Sequence, residues 1–443
     1  MDMKYVEASK KVFLNTGARF QKEVIRSLAL LKKGAAISNM KLGLLPEDLA
    51  RAIADASDEV AQGTYDSKVE VDVYQTGSGT GLNMNLNELI AARASETLGR
   101  PVHPNDHVNM GQSSNDVVPS AIRVATLIAY TEYLKPALRL LSSSLGELSD
   151  KFSGVYKSGR THLRDALPVT LGQEFGAYFD AFKLDAKVLE FLVDSLSDLP
   201  LGGTAVGTGL NSQPGFAELV VSELNQYTGL KFRISTNKFR SMRLLTDLAA
   251  FSAQLSVSAT NLYRLSQDIR LMFSGPVTGF NEIDIPSQEE VAGSSIMPGK
   301  TNPVTVEAAM LASAEVSGLD LANRQACMYG EFELAMGVPL LGYNLVSQIR
   351  LLSEAFSKMT DVVLKSIKPN QEKLRWYAEN SPSLITVLSP VIGYDKASVV
   401  GKKIVKGVGI RQALHELGYD DQEIERLLEL DELVKAGIPS KHV

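Results

Sequence analysis

From Asn237 to Phe273 the chain runs without a single glycine or proline. Nothing in that stretch forbids continuous helix, and at 1.5 Å per residue it allows a rod of about 50 Å. Upstream, Phe179, Phe182, Ala186, Leu189, Val193 and Leu196 recur every three or four positions, the seam of a second long helix. Helical pattern resumes through 304–336 and 340–367. Helices this long bury their seams only against one another. The expected fold class is mainly α, organised around a central bundle of long helices. The seams exceed what one chain can cover, which points to a bundle shared between subunits.

The flanks read differently. Residues 1–112 form a mostly helical N-terminal domain, with Val24, Ile25, Leu28, Leu31 and Leu45 at helical spacing. The bundle is expected over 113–367. After Lys368-Pro369 the segments shorten and charge density rises, so a small C-terminal helical domain is expected over 368–443. Lys and Arg number 45 against 51 Asp and Glu, a net charge of −6, and no basic run tracks a phosphate backbone. Nucleic acid is therefore not the expected partner. No apolar stretch is long enough to span a bilayer, and the N-terminal MDMKYVEASKKVFL lacks a signal-peptide core, so the expected location is cytoplasmic. Cys327 is the only cysteine, which excludes an intrachain disulfide and reads as a small core residue. Without a Cys/His cluster no zinc site is expected, and no metal or cofactor is called for.

The chemistry lies in polar loops between the helices. Gly293-Ser294-Ser295-Ile296-Met297-Pro298-Gly299-Lys300-Thr301-Asn302-Pro303 breaks helix and presents two hydroxyls, one ammonium and one carboxamide, suited to a small anion. A polar surface turn would have the same local pattern. Thr76-Gly77-Ser78-Gly79-Thr80-Gly81 follows an alternating, extended stretch, and its glycines would let backbone N–H groups reach a ligand. It lacks the Gly-Lys-Ser/Thr of a phosphate-binding loop and the βαβ context of a dinucleotide fingerprint. Arg100-Pro101-Val102-His103-Pro104-Asn105-Asp106 should be extended around its prolines. Gly111-Gln112-Ser113-Ser114-Asn115-Asp116 precedes a long helical run. Its Ser and Asn read as an N-cap, and a helix N-terminus carrying hydroxyls is also a carboxylate site. Arg160-Thr161-His162-Leu163-Arg164-Asp165 and Gly202–Gly209 interrupt the helices further on.

Taken together, these loops resemble the fumarase/aspartase superfamily. The stretch 293–303 resembles its Gly-Ser-Ser-x-Met-Pro-x-Lys-x-Asn-Pro pattern without a mismatch, and 76–87, 103–116, 159–173, 202–211 and Gly393-Tyr394-Asp395-Lys396-Ala397 are similar to family blocks in the same order. Ser113-Ser114-Asn115 is similar to class II fumarases, where aspartases usually carry Ser-Thr-Asn. The resemblance implies reversible hydration of fumarate to (S)-malate in the tricarboxylic acid cycle through an aci-carboxylate intermediate. The nearer rival is an aspartate ammonia-lyase, and the remote one a non-catalytic structural homologue.

By the same resemblance, Ser294 is the general base, His162 acts on the water side and Glu307 orients it. Ser78, Gly79, Thr80, Ser113, Ser114, Asn115, Thr161, Ser295, Lys300, Thr301 and Asn302 bind the dicarboxylate. Arg100, His103, Pro104, Asn105 and Asp106 form a second anion site. The resemblance also implies a homotetramer with a twenty-helix core and active sites drawn from three subunits. The N-terminus is shorter than is usual for the family, and the customary Gly-x-Gln-Thr segment is not evident.

Overall fold

The computed structural model describes residues 3–290 and 293–437. The chain is mainly α-helical, and strand among the described residues is confined to four two-stranded sheets. It divides into two compact units whose boundaries fall inside the long helices.

One unit comprises Met1–Leu138, Asp185–Thr260 and Leu311–Ala355. Here the helix Lys22–Lys41 packs against Glu47–Ala61, Ser114–Ala129 and Phe216–Thr228. The Ser114–Ala129 helix is buried from Asp116 to its end, which explains its run of Val, Ala, Ile and Leu. Its one internal cation, Arg123, is fully buried and grips Asp247 with Nε and Nη2 at 2.9 and 3.0 Å. A polar layer crosses the core as well: Ser252 donates to Asp320 and Gln348, and Asn323 donates to Ser252 and Gln348.

The other unit comprises Arg139–Leu184, Asn261–Met310 and Phe356–Val443. It holds the only sheet among the described residues with strands longer than two residues, the antiparallel pair Tyr156–Thr161 and Arg164–Thr170. Near its end, short helices from Ile385 to Leu433 enclose a small core of their own around Leu388, Val400, Leu414 and Ile424.

Three expectations are corrected. The helical pattern expected through 304–336 stops at Met328, and Gly330–Glu331 then pairs with Leu334–Ala335 as a short antiparallel hairpin. The uninterrupted stretch 237–273 is two helices, Lys238–Arg243 and Thr246–Phe273. The chain turns extended at Leu244 (φ −113°, ψ 106°), where Asp247 is held by Arg123 and the Leu245 carbonyl accepts from Cys327 Sγ. Freedom from glycine and proline permits helix but does not enforce it. The 100–107 stretch is not extended throughout either: Pro104–Val108 forms a single wide helical turn. His103 caps it, its Nδ1 accepting from Asp106 N at 3.0 Å, and proline occupies the first position, where no N–H is needed.

Candidate active site

In the first unit, the candidate residues gather at two helix N-termini. Thr80 opens the helix Thr80–Leu98, and Ser78 Oγ lies 2.9 Å from Thr80 Oγ1. The glycines here also meet a packing demand of the chain itself. A Cβ on Gly77 would meet the Met336 carbonyl at 2.1 Å, and Gly79 sits at φ +80° against Val118.

Ser113 caps the neighbouring helix in a reciprocal box: its Oγ accepts from Asn115 N at 3.2 Å, while Asp116 Oδ1 accepts from Ser113 N at 2.9 Å. The other Asp116 oxygen accepts from the backbone N–H of Gly202 and Thr204, at 3.0 and 2.9 Å. Asn115 donates to the Ala205 carbonyl at 2.8 Å. The glycine-rich 202–209 loop is thereby tied to Ser113, Ser114 and Asn115, all half-buried. Asp116 is completely buried; that burial pushes its carboxyl up to about 6, although three N–H groups and the charge of Lys32 oppose the rise.

The second unit carries the remaining candidates on two elements. His162 and Leu163 form the tip of the hairpin, between Thr161 and Arg164, at φ 55° and 57°. Two consecutive left-handed residues make the tight turn that suits strand twist, a place where Asn-Gly is the relaxed choice. Thr161 and His162 are exposed, and His162 makes no hydrogen bond to another described residue. The strand behind the tip is firmly mounted. Lys157 Nζ meets Glu174 at 2.8 Å and Glu282 at 2.7 Å, and Arg160 Nη1 meets Glu282 at 2.6 Å. Glu282 is entirely buried, and the Arg160 guanidinium lies 4.3 Å from the Phe280 ring and 5.2 Å from that of Tyr377.

The loop at 293–303 is the second element. Ser294 Oγ accepts from the backbone N–H of Ile296 at 3.3 Å and of Met297 at 3.1 Å. At the loop's base the Asn302 carboxamide donates to the Gly293 carbonyl, and a Cβ on Gly293 would meet the Lys300 carbonyl at 2.4 Å. Only glycine allows that approach. The arc 295–300 is exposed, and Lys300 has no ion-pair partner among the described residues. Lys300, Thr301 and Asn302 line a cleft of about 650 Å³ with Arg270, Asp284 and Glu307. Glu307 lies 3.8 Å from Arg270 Nε.

The residues of the expected second anion site form a separate exposed turn in the first unit. Arg100 pairs with Asp48, His107 Nδ1 accepts from His103 N at 2.9 Å, and Asn105 and Asp106 face outward. Reading of the loops missed Lys32, Asn83 and Asn109, which lie behind Ser114, and Arg270 in the cleft. Asn83 and Asn109 fall inside the 76–87 and 103–116 blocks without standing out there, whereas no motif marks Lys32 or Arg270; their contacts join segments far apart in sequence. Among the described residues no cluster of His, Cys, Asp and Glu could hold a metal ion, and no helix is long and apolar enough to cross a membrane.

Known proteins resemble this chain over nearly its whole length. Residues 5–318 match the lyase family model, and 384–435 match the model of the fumarase C C-terminus. A class II fumarate hydratase of Saccharolobus solfataricus is 57% identical over 439 residues, covering 99% of this chain and all of that one. One from Thermosynechococcus vestitus is 43% identical, covering 96% and 92%. The crystal structure of the class II fumarase from Schistosoma mansoni superposes with a TM-score of 0.93 at 33% identity, covering 97% of this chain and 95% of that one. With both ends of the chain matched and the polar loops on the same scaffold, the chain belongs to the class II fumarate hydratase family of lyases.

Proposed function

We propose that this chain catalyses the reversible hydration of fumarate to (S)-malate in the tricarboxylic acid cycle. One observation carries the chemistry: two backbone N–H groups converge on Ser294 Oγ in a loop that also bears Lys300 and Asn302. Serine is a poor base at its ordinary pKa, and donors aimed at its oxygen, with an ammonium nearby, are what an alkoxide needs.

In the dehydration direction Ser294 removes the C3 proton of malate. The electron pair moves into the adjacent carboxylate, giving the aci-carboxylate. Lys300 and Asn302 bind that doubly charged group more tightly than the ground state and so lower the barrier. The C2 hydroxyl leaves as water with a proton supplied from the His162 side, and Glu307 orients His162. Ser78, Gly79, Thr80, Ser113, Ser114, Asn115, Thr161, Ser295 and Thr301 hold the two carboxylates, the first group at helix N-termini where anions are favoured. Arg100, His103, Pro104, Asn105 and Asp106 bind a second anion without taking part in the chemistry.

The same reading makes the enzyme a cytoplasmic homotetramer whose sites draw on three subunits, with the chain divided at 113 and 368. Its support is the apolar surface on the long helices. Phe191, Val257, Leu311 and Leu321 are each at least half exposed in the single chain. The assay is direct: follow the fumarate absorbance band after adding L-malate or L-aspartate. Fumarate should form from malate. Formation from aspartate alone would make the chain an ammonia-lyase, and formation from neither would remove the catalytic reading.

A further inference from the structure

Lys32 stands out in the first unit as a fully buried ammonium without a carboxylate at ion-pair distance among the described residues. Its Nζ meets two neutral amide oxygens, Asn109 Oδ1 at 2.8 Å and Gln112 Oε1 at 3.0 Å. Asn109 Oδ1 also accepts from Asn83 Nδ2 at 3.2 Å, and the same Nδ2 meets Ser114 Oγ at 3.1 Å. A continuous chain of three contacts thus joins the buried cation to a hydroxyl of the carboxylate-binding loop. A buried charge without a counter-charge is costly, and an anion on the polar loop where this relay ends would offset that cost.

Neighbouring charges do not fill the role. The helices packed around Lys22–Lys41 bring in Asp58, which pairs with Lys33, and Glu223, which pairs with Lys41. Arg123 is spoken for by Asp247, and Glu88 accepts from the backbone at Tyr5 and Val6. Within the 104–108 turn, His107 is bonded to His103 N and Asp106 is exposed. Asp116 remains. It acts on Lys32 through space, while its oxygens are occupied by Ser113, Gly202 and Thr204.

We propose that Lys32 is a positioning and electrostatic residue of the dicarboxylate site, holding Ser114 through Asn109 and Asn83 and gaining its counter-charge from the bound dianion. This rests on the reading of Ser114 as a substrate ligand. Burial lowers the Lys32 pKa to about 7, against the pull of Asp116, so the amine is partly neutral near neutral pH. A dianion arriving above it restores the proton. Dicarboxylate binding at pH about 8 should therefore take up protons.

The test uses the intact protein and succinate as a dicarboxylate probe that is not turned over. Titration calorimetry in two buffers of different ionisation enthalpy reads the proton uptake, and malate kinetics read kcat and KM. The wild type should take up protons on binding succinate. Lys32→Gln, which keeps an amide donor but no charge, should lose that uptake and raise KM about tenfold or more with a smaller change in kcat. His162→Asn should keep the uptake. Buffer-independent heats in the wild type would overturn the proposal even if Lys32→Gln does not fold. Uptake that vanishes with His162→Asn, or survives in a folded Lys32→Gln with unchanged KM, would overturn it equally. A wild type inert toward malate would instead refute the hydratase reading itself.

Discussion

Serine is a weak base, so whatever ionised character Ser294 acquires must come from the groups around its oxygen. The N–H groups of Ile296 and Met297 supply the geometry, and Ser294→Ala should lower turnover by at least about 10²-fold with the fold intact, measured with malate under saturation. Near-normal turnover would remove the assignment. His103 belongs to a different turn, and replacing it by Asn should leave most of the turnover.

Lys32 makes a separate prediction about stability. Its pKa falls from 10.5 unfolded to about 7 folded, so between those values the unfolded chain binds the extra proton and stability rises with pH. Its contribution is lost as pH falls through about 7. Lys32→Met should flatten that rise, as read from denaturant midpoints across the window. Ser294, Lys300 and Asn302 were legible because nine residues of local spacing carry them. Lys32 was not, because its partners at 109 and 112 come to it only in the folded core.

At the scale of elements, the hairpin is the part the sequence showed least clearly. The segment 160–165 read as a polar break, yet it is a tight turn whose left-handed positions are filled by His and Leu instead of Asn-Gly. The mount is what tolerates them. Glu282→Gln leaves Arg160 without its carboxylate and Lys157 with Glu174 alone in a buried setting, and should cost about 3 kcal/mol by chemical denaturation. Leu163→Gly should have the opposite sign, stabilising by about 1 kcal/mol because glycine accepts φ 57° without strain. It should also slow turnover if a rigid tip is needed to aim His162. The helices at 171–196 and 304–328 were readable from periodicity, but the break at Leu244 was not, since the Arg123–Asp247 pair that accompanies it joins distant segments.

For the whole molecule, fold class and lineage were accessible from pattern and motif, whereas the way the chain compacts was not. Both units are assembled from three separate stretches, because long helices pass the chain back and forth. Exposed apolar residues along those helices predict self-association: sedimentation should report a tetramer at micromolar concentration, and an active monomer would contradict the shared-site reading.

The pinch at Gly293 reaches further than packing. An arc held together at its base, with its middle open to solvent, offers an accessible peptide bond after Lys300. Limited trypsin digestion should therefore cut the native enzyme there, and saturating dicarboxylate should slow the cut as Lys300 engages its ligand. The cleavage rate would report occupancy of the loop without any turnover being measured.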